Sequence, residues 1–389
     1  MDTQGSIGSF VSDHLRFGLL MQKATEPRRD ERSGLIPVVL ALATNERYFP
    51  GLYCAVASAL STMPPTREVD LKVLDGGISE ISRKVLSHLV ARFGRHVRLE
   101  FVPIDESMFR GATLGPGQSY MAYCRILLPQ LVDVPRLIYL DCDVLVFRDL
   151  SQLFDFQLSA GKFMAAVPDS ETYSLAHDSP ALAKAMKLSP EAVYFNSGVM
   201  LMDLDELRKE RFFECAVEFL TVSKVDYRFH DQSAINFLLH SHIEGLPEYW
   251  NRPSWCFDAQ ENNNLNCVLH YTSSVPWMSG TPGPAQELFE RVAADVGFPV
   301  DRDSPRFKKA KRERFWRNMT APLRAFAFPI VSLFYRLIRK EDRSAAYQKV
   351  GRYWLEYIRR APDRRRLYRR RSEEISRMKF DLGVSPFVP

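Results

Sequence analysis

The sequence predicts an α/β fold with a mostly parallel sheet, followed by a basic helical tail. Strand-like and helix-like segments alternate along the first part of the chain, and acidic residues directly follow apolar strands. The charge is unevenly distributed: residues 305–379 contain 24 Lys and Arg against 7 Asp and Glu, whereas the rest of the chain has a net charge of −12. With 46% hydrophobic and 25% charged residues, the 389-residue chain has a globular composition and enough length for one large domain or two.

Five segments at the start of the domain follow one another as strand, helix, strand, helix and strand. The apolar run at residues 35–44 is typical of a strand buried on both faces, and residues 69–74 and 97–102 predict two more strands. Residues 48–63 show helical spacing of apolar residues, and residues 79–93 predict a capped helix. This alternation indicates parallel strands joined by crossover helices.

An acidic motif interrupts the apolar run at residues 136–147. Asp141 and Asp143 follow a predicted buried strand, and residues 120–131 before it predict a helix. Ligands of open α/β sheets bind beyond the carboxyl ends of the strands, where both carboxylates are expected to lie. Two carboxylates at this spacing predict a site for Mg²⁺ or Mn²⁺, which also take oxygens from water and substrate phosphates. Taken alone, the motif is also compatible with a solvated acidic turn.

The second half of the domain contains fewer elements. Residues 163–167 and 194–202 predict strands, residues 204–222 predict one helix, and residues 231–240 predict another. A loop rich in Asn is expected before residues 268–272, and the globular domain is expected to end near residue 298.

The chain is expected to divide into three regions, which are a polar extension at 1–34, a main domain at 35–300 and a basic tail at 301–389. No secretory signal and no membrane-spanning helix are expected, because neither a basic segment leading into an apolar core nor a long uncharged stretch is present. The six cysteines form no Cys-x-x-Cys pair and are expected to be reduced and mostly buried, as in a cytosolic protein. The short separation of Cys256 and Cys267 leaves a disulfide or a zinc site open.

The tail combines basic clusters with an amphipathic stretch. Within residues 323–338, apolar residues recur on one helical face and arginines flank them, and Pro329 is expected to kink the helix. Such a stretch favours a position in a membrane interface, and the basic clusters at residues 364–371 add attraction to anionic lipid. Packing on the domain or oligomerisation is the alternative. Nucleic acid binding is not expected, because no recognition module accompanies the charge.

Six segments with polar residues beside apolar runs follow one another along the chain. They are residues 41–48, 73–79, 139–145, 194–199, 230–233 and 270–277. Together they resemble glycosyltransferase family 8, the retaining GT-A enzymes that include bacterial lipopolysaccharide galactosyl- and glucosyltransferases. The resemblance covers roughly residues 36–280. It implies a GT-A fold with a Rossmann-like, mixed but mostly parallel sheet for the catalytic domain at 35–300.

The resemblance implies that Asp141, Asp143 and His270 bind a divalent metal, usually Mn²⁺, with Mg²⁺ as the alternative. Mixed oxygen and imidazole ligands suit Mn²⁺ on chemical grounds as well. The metal would bridge the diphosphate of a UDP-hexose donor and neutralise charge on the departing UDP. A lone histidine is more often a satisfied core residue, so the surrounding motif is what assigns His270 to the metal.

In the resemblance, the uridine pocket is matched by Ala43, Thr44, Asn45 and Tyr48. Cys142 and Ser273 are also expected to bind the nucleotide sugar, as is Asp141. Tyr48 is expected to stack on the base, with a packing role at the start of a helix as the alternative. The chain departs from the family pattern at Asn45, where many relatives have Asp, and at Val275, where relatives often have a Lys that contacts the diphosphate. Both departures put the donor affinity in question.

A further set matches positions that line the donor sugar in the family. It comprises Arg125, Asp169, Asn196, Ser197, Asp231 and Gln232. An ordinary ion pair is the alternative role for Arg125, and a helix cap is the alternative for Asp231. Asn196 lies in an apolar strand, where a buried amide needs partners that a bound sugar would supply. The expected catalytic residues are Gln232, Asp231, Asp169 and Asn196.

Retention of the anomeric configuration requires either a nucleophile on the β face of the sugar or front-face attack assisted by the leaving phosphate. Gln232 occupies the β-face position in the resemblance, and a neutral amide is a poor nucleophile. Front-face substitution is therefore favoured. Gln232 and Asp231 would stabilise an oxocarbenium-like transition state, and the diphosphate oxygen would take the acceptor's proton.

The sequence thus predicts a metal-dependent hexosyltransferase that uses UDP-galactose or UDP-glucose and a saccharide or lipid-linked acceptor, such as a lipopolysaccharide core. Residues 305–379 are expected to hold the protein peripherally on the anionic, cytoplasmic face of the plasma membrane. Two alternatives stay open. One is a soluble transferase acting on protein or polysaccharide, and the other is a degenerate transferase that only binds nucleotide sugars, which Asn45 and Val275 favour.

Overall fold

The strands divide between two sheets. The computed structural model describes residues 36–109, 120–222, 227–259, 265–272, 275–278, 283–298 and 300–337, together with single residues and short runs from 343 to 375. Its strands are β1 (Val38–Thr44), β2 (Val69–Asp75), β3 (Val97–Pro103), β4 (Arg136–Leu140), β5 (Val144–Val146), β6 (Met164–Pro168), β7 (Phe195–Asp203), β8 (Ile243–Gly245), β9 (Arg252–Pro253) and β10 (Val268–His270). A seven-stranded sheet has the order β3-β2-β1-β4-β7-β6-β8, and a three-stranded sheet has the order β5-β10-β9.

The large sheet is mixed and mostly parallel, as predicted. Strands β3, β2, β1 and β4 are parallel to one another, and Thr44 lies opposite Asp75 where β1 and β2 end. Strand β7 is antiparallel to both of its neighbours, β4 and β6. The strand order reverses between β1 and β4, which makes their carboxyl ends the topological switch point where ligands of α/β sheets bind.

Helices connect the strands largely where the apolar spacing predicts them. They are α1 (Phe49–Thr62), α2 (Glu80–Ala91), α3 (Cys124–Leu131), α4 (Ser151–Phe154), α5 (Leu175–Asp178), α6 (Pro180–Ala185), α7 (Leu204–Lys209), α8 (Phe212–Val222), α9 (His230–Leu239), α10 (Ser254–Ala259), α11 (Pro284–Asp295) and α12 (Pro305–Leu337). Pro50 occupies the first turn of α1, where its missing N–H has no helical partner to lose. Ser79 caps α2, because its hydroxyl accepts a hydrogen bond from the backbone N–H of Ser82.

Two helical segments differ from the prediction. Residues 204–222 form two helices rather than one, because Arg211 between α7 and α8 has a left-handed backbone with φ of 54°. Residues 120–131 begin as a 3₁₀ turn, Tyr120–Tyr123, and become α-helical only at Cys124. Neither break contains Gly or Pro, so no punctuating residue marks it in the sequence.

The predicted apolar run at residues 136–147 also divides. Strand β4 belongs to the large sheet and β5 to the small one, and the acidic motif forms the turn between them. Strand β5 pairs antiparallel with β10, which places Val144 opposite His270. The division therefore brings a histidine from the far end of the domain next to Asp143.

The core of the fold surrounds β1 and α1. Val38, Leu40 and Leu42 are at most 1% exposed, and eleven of the fourteen residues of α1 are buried. The backbone N–H of Val146 donates to the hydroxyl of Ser58 in α1, which fixes β5 against this helix. Burial of apolar surface of this extent is the main stabilising contribution to the rigid frame on which the site is built.

The chain forms two compact units. Among the described residues, the first unit comprises those from 36 to 253 and from 265 to 270, and the second comprises those from 254 to 259 and from 271 to 375. Both sheets belong to the first unit. In the second unit, the hydroxyl of Tyr271 donates to the carbonyl of Ala285, and the rings of Trp277 and Phe289 lie 5.6 Å apart. The predicted boundary near residue 300 between domain and tail stays a prediction.

Helix α12 is 33 residues long and continues through Pro322 and Pro329. Ala321 and Ala325 are buried on one side of it, with Phe328 packed beside them. Among the described helices, none combines the length and the apolar character needed to cross a membrane. All six cysteines lie in the described residues, where each is a free thiol and five are buried, so the open possibility of a disulfide between Cys256 and Cys267 is not realised.

Candidate active site

The predicted site residues gather at the carboxyl ends of β1 and β4. Asp141 follows β4 directly, and its backbone N–H donates to the carbonyl of Gly198 in β7 at 2.8 Å. Thr44 ends β1 on the other side of β4, and α3 and α9 supply further side chains. The apolar residues of each strand are buried in the sheet, and the polar residues at the strand end lie in the crevice beyond it.

Asp141, Asp143 and His270 form a cluster with the spacing of metal ligands. One donor atom from each lies within 4.8 Å of the others. The Nε2 atom of His270 is 3.2 Å from Oδ1 of Asp143 and 3.8 Å from Oδ2 of Asp141. Neighbouring ligands of an octahedral ion with bonds of about 2.1 Å lie about 3 Å apart, so the three groups fit a divalent cation such as Mn²⁺ or Mg²⁺.

Asp141 and His270 each have one donor atom that is hydrogen-bonded to neighbouring side chains and one donor atom that is turned toward the cluster. Oδ1 of Asp141 accepts hydrogen bonds from Nη2 of Arg125 at 2.8 Å and from the hydroxyl of Tyr139 at 2.9 Å. Nδ1 of His270 lies 2.8 Å from Oδ1 of Asn251. Oδ2 of Asp141 and Nε2 of His270 are therefore the atoms that remain for a metal, and the outer partners fix their directions.

The charge distribution of the cluster also favours a cation. Burial by itself lowers the pKa of His270, which is 4% exposed. The attraction of the Asp143 and Asp141 carboxylates outweighs burial and leaves the pKa of His270 raised. The two carboxylates that raise this pKa would attract a divalent cation in the same way.

Gly198 is required by the close packing of the cluster. A Cβ atom at this position would lie 2.2 Å from Cε1 of His270 and 2.9 Å from Oδ2 of Asp141. No side chain fits this space without moving a predicted metal ligand. Gly198 belongs to a motif in the sequence, but its steric role appears only when the three strands are placed together.

Arg125 connects the metal cluster with the predicted sugar site. Besides Asp141, its guanidinium contacts Asp231, with Nε 3.1 Å from Oδ2, and Nη1 donates to the carbonyl and the hydroxyl of Ser197. Burial lowers the pKa of Arg125, but the carboxylates, Asp141 foremost, outweigh it and leave the pKa raised. The predicted ion pair is thus present, and it lies inside the site.

Asp231 and Gln232 extend this network from the first turn of α9. Burial raises the pKa of Asp231 to about 6, against the opposing effect of the Arg125 guanidinium. Oε1 of Gln232 accepts from the backbone N–H of Ser197 at 2.9 Å and from its hydroxyl at 3.1 Å. Asp231 does not act as the cap residue of α9, because Phe229 occupies that position and makes no side-chain cap.

Asp169 and Asn196 form the third part of the site. Nδ2 of Asn196 donates to Oδ2 of Asp169 at 2.9 Å, and Oδ1 of Asp169 accepts from the backbone N–H groups of Glu171 and Thr172. Oδ1 of Asn196 accepts from the backbone N–H of Gly198 at 2.9 Å. The amide in the apolar strand thus has its partners within the protein itself.

The residues predicted to bind the nucleotide lie beside the metal cluster at the end of β1. The thiol of Cys142 donates to the carbonyl of Ala43 at 3.0 Å, and the hydroxyl of Thr44 donates to the carbonyl of Asn45. Oδ1 of Asn45 accepts from the backbone N–H of Tyr48. Burial, and to a smaller extent the Asp143 carboxylate, raise the pKa of Tyr48.

One predicted site residue cannot be placed, and three residues that were not predicted contribute to the site. Ser273 lies outside the described residues. Tyr139, Gly198 and Asn251 were not expected to act in the site, although all three contact or enclose the metal cluster. No sequence pattern marks Asn251, which follows Tyr249 and Trp250 and is only 3% exposed in the structure. The roles of the predicted residues in binding and catalysis stay predictions.

Sequence comparisons place this arrangement among known proteins. The sequence profile of glycosyl transferase family 8 matches residues 39–280. General stress protein A of Bacillus subtilis is 31% identical over 263 residues, which cover 62% of this chain and 87% of that protein. Lipopolysaccharide 1,2-glucosyltransferase of Escherichia coli is 31% identical over 205 residues, which cover 48% of this chain and 57% of that enzyme.

A comparison with solved structures identifies the fold. The structure of galactosyltransferase LgtC in complex with donor and acceptor sugar analogs matches with a TM-score of 0.54 and 24% identity, and the match covers 70% of this chain and 100% of that one. At this level of identity the likeness concerns the fold alone. It confirms the predicted GT-A architecture.

Proposed function

This chain belongs to glycosyltransferase family 8, and from that premise we propose that it transfers galactose or glucose from a UDP-sugar to a saccharide acceptor with retention of the anomeric configuration. Membership of the family implies a nucleotide-sugar donor and a saccharide acceptor. The hexose, the uridine nucleotide and retention are the finer parts of the proposal. The acceptor that we propose is a lipid-linked saccharide such as a lipopolysaccharide core.

The observation that carries the proposal is the continuity between the metal cluster and the polar groups beside it. Arg125 links Asp141 to Asp231 through one guanidinium. Ser197 links the same guanidinium to Gln232. A donor whose diphosphate lies at the metal cluster would therefore present its sugar to groups that are already fixed in place, which is how enzymes lower the cost of orientation.

Asp141, Asp143 and His270 are the residues that would hold Mn²⁺, with Mg²⁺ as the alternative. Two carboxylate oxygens and one imidazole nitrogen form a donor set suited to Mn²⁺. When bound, the metal would act as a Lewis acid that neutralises charge on the diphosphate.

Two observations support front-face substitution. The oxygen of Gln232 accepts two hydrogen bonds from Ser197, so its lone pairs are engaged and the amide is unsuited to act as a nucleophile. Asp231 is tied to Arg125 and is only 7% exposed. Both groups would then act on the oxocarbenium-like transition state through charge and dipole. The new glycosidic bond forms on the face from which the diphosphate leaves, and the acceptor's proton passes to a diphosphate oxygen.

The competing proposal is a degenerate transferase that only binds nucleotide sugars. Asn45 and Val275 favour it, since each lacks a charge that relatives often have. The hydrogen bond from the backbone N–H of Tyr48 to Asn45 weighs against it, because the amide keeps the acceptor role that a carboxylate would have at this turn.

A UDP-release assay separates the two proposals. The intact protein is incubated with a panel of UDP-sugars, in Mn²⁺ or in EDTA, beside an Asp143→Ala variant. We expect Mn²⁺-dependent release of UDP from one UDP-hexose and its loss in the variant. Donor binding by isothermal titration without any release, with or without a lipopolysaccharide acceptor, would favour the binding module, and the absence of both would overturn the transferase proposal.

We further propose that α12 lies in the anionic interface of a membrane. Large apolar side chains of this helix are exposed, at 75% for Phe326 and 74% for Leu337. The full set is Phe315, Trp316, Met319, Leu323, Phe326, Ile330, Leu333, Phe334 and Leu337. With 100° per residue, all nine fall within one stripe about 100° wide. The buried Ala321 and Ala325 fall outside this stripe, so the helix can pack within its own unit and still present an apolar face.

The charge of the tail supports an anionic bilayer as the partner of this stripe. The net charge of +17 over residues 305–379 complements anionic lipid, at about 1 kcal/mol for each basic residue near the surface. Position on the cytoplasmic face of the plasma membrane follows from this proposal together with a lipid-linked acceptor.

Flotation with lipid vesicles tests the membrane proposal. We expect the full-length protein to float with phosphatidylcholine vesicles that contain phosphatidylglycerol and not with pure phosphatidylcholine. Phe326→Glu should weaken binding by about tenfold or more, because it removes a large apolar group and adds a negative charge. Asn318→Glu is the matched control, with the same change of charge at an exposed position outside the stripe. Equal binding by both variants, or a dimer in light scattering that Phe326→Glu disrupts, would overturn the proposal in favour of oligomerisation.

A further inference from the structure

Four side chains form a continuous line of hydrogen bonds from the sugar side of the site to the metal cluster. Asp169 accepts from Nδ2 of Asn196 at 2.9 Å, and Oδ1 of Asn196 accepts from Nδ2 of Asn251 at 2.8 Å. Oδ1 of Asn251 then lies 2.8 Å from Nδ1 of His270. Asp169 directly follows β6 and Asn251 directly precedes β9, whereas Asn196 lies in β7 and His270 in β10. The line thus joins groups that are up to about 100 residues apart in sequence.

The direction of every hydrogen bond in this line follows from the two partners of Asn196, which are Asp169 and the backbone N–H of Gly198. Asp169 accepts from two backbone N–H groups through Oδ1 and from the NH₂ group of Asn196 through Oδ2. The backbone N–H of Gly198 can only donate, and it points at Oδ1 of the same amide. Asn196 is thus held by two independent partners, and its oxygen is the atom that faces Asn251.

The same constraint passes through Asn251. Because Oδ1 of Asn196 can only accept, Asn251 must direct its NH₂ group there and its oxygen toward His270. An oxygen in this position requires a proton on Nδ1 of the imidazole. Asn251 is 3% exposed, so water has little access to replace it. Of the two neutral tautomers, only the one protonated at Nδ1 leaves the lone pair of Nε2 on the side of Asp141 and Asp143, where a metal would bind.

We propose that Asn251 is a positioning residue that fixes the Nδ1–H tautomer of His270 and so prepares Nε2 for the divalent metal. Asn196 in turn fixes the orientation of Asn251. The opposite tautomer would place two lone pairs against each other at Asn251 and direct an N–H into the cation site. The proposal rests on the metal site of the proposed function, since without a metal the tautomer has no ligand to serve.

Partners of this kind typically change metal affinity by about 10- to 100-fold when they are removed. Asn251→Ala removes the acceptor, so we expect its Kd for Mn²⁺ to rise by about that factor. Asn251→Asp keeps an oxygen that accepts from Nδ1–H but loses the donor to Asn196. This variant should retain the Mn²⁺ affinity of the wild type to within about threefold, or bind more tightly because of the added charge.

The experiment is a titration of the full-length proteins with Mn²⁺ alone, in which free Mn²⁺ is measured by electron paramagnetic resonance. Asn236→Ala is the matched control. Asn236 is a buried amide that exchanges hydrogen bonds with the backbone of Phe195, the residue before Asn196 in β7, and donates to the backbone carbonyl of Gln232. None of these hydrogen bonds involves His270. Its removal should leave the affinity for Mn²⁺ unchanged. Circular dichroism checks that each variant is folded.

The outcomes distinguish the proposal from its premise. Weak binding by Asn251→Ala with recovery in Asn251→Asp supports the positioning role. Wild-type affinity in Asn251→Ala, equal losses in the Ala and Asp variants, or an equal loss in Asn236→Ala would each overturn it. Failure of the wild-type protein to bind Mn²⁺ would instead remove the metal site of the proposed function.

Discussion

Replacement of Gly198 by alanine is the perturbation that most directly tests the geometry of the metal cluster. The added Cβ would lie 2.2 Å from Cε1 and 2.8 Å from Nδ1 of His270. Carbon atoms in contact need about 3.5 Å, so the imidazole has to move by about 1 Å. Metal–ligand bonds tolerate about 0.2 Å, and a displacement of about 1 Å in a site costs about 100-fold. We therefore expect the Kd for Mn²⁺ and the rate of UDP release each to worsen by about 100-fold.

The backbone does not contribute to this effect, because Gly198 does not lie in the left-handed region that only glycine favours. Overpacking of this kind destabilises by about 1–3 kcal/mol, which leaves a folded protein for the assay. The matched control is Gly245→Ala in β8, where the new Cβ would make an ordinary contact at 3.9 Å with Phe195. Mn²⁺ titration of both variants decides the matter. Affinity of Gly198→Ala within threefold of the wild type would refute the steric argument and the assigned position of His270.

Three further predictions concern the charged network and the fold. Arg125→Lys should lower UDP release by about 100-fold and destabilise the fold by about 3 kcal/mol in urea titrations, because one ammonium cannot reach both Asp141 and Asp231. Wild-type activity in this variant would contradict the argument that the guanidinium has to contact both carboxylates. Because the pKa of Asp231 is raised to about 6, the folded state binds this proton more tightly than the unfolded state. The stability that the protonated group contributes in the wild type is therefore fully present below about pH 4 and is lost as the pH rises through 6. Relative to the wild type, Asp231→Asn should gain about 3 kcal/mol between pH 4 and 6 in urea titrations, and parallel stability curves would refute the shift. Ser79→Ala should cost about 1 kcal/mol of stability without changing Mn²⁺ affinity, since it removes the cap of α2 and a hydrogen bond to Glu46 but no group of the metal cluster. A Tm equal to that of the wild type would contradict the capping role.

Most of the large sheet could be predicted, because its strands are recognisable in the sequence from the pattern of apolar residues alone. β1, β2 and β3 are apolar or alternating runs that end at polar residues, and the structure reproduces their predicted bounds to within a few residues. The break at Arg211 and the late start of α3 were missed, because a left-handed arginine and a 3₁₀ turn leave no Gly or Pro in the sequence.

The predicted site residues could be named individually, but their contacts could not. The ion pair of Arg125 with Asp231 and the hydrogen bonds of Ser197 to Gln232 join elements far apart in the chain. Asn251 was missed for the same reason. An amide after two aromatic residues has no pattern of its own, and it becomes a partner of His270 only when β9 pairs with β10.

The sequence by itself determined the order of the elements, the acidic turn after β4, the family and the contrast between an acidic body and a basic tail. These properties are local, since they depend on periodicity, on short motifs and on the charge of contiguous segments. The tertiary structure alone decided that β5 leaves the large sheet and pairs with β10, which places His270 3.2 Å from Asp143. It also decided that only glycine fits at position 198 and that Asn251 faces the imidazole. The physical reason is that such contacts arise from the packing of distant segments around one core, and packing depends on the shapes of all the elements together.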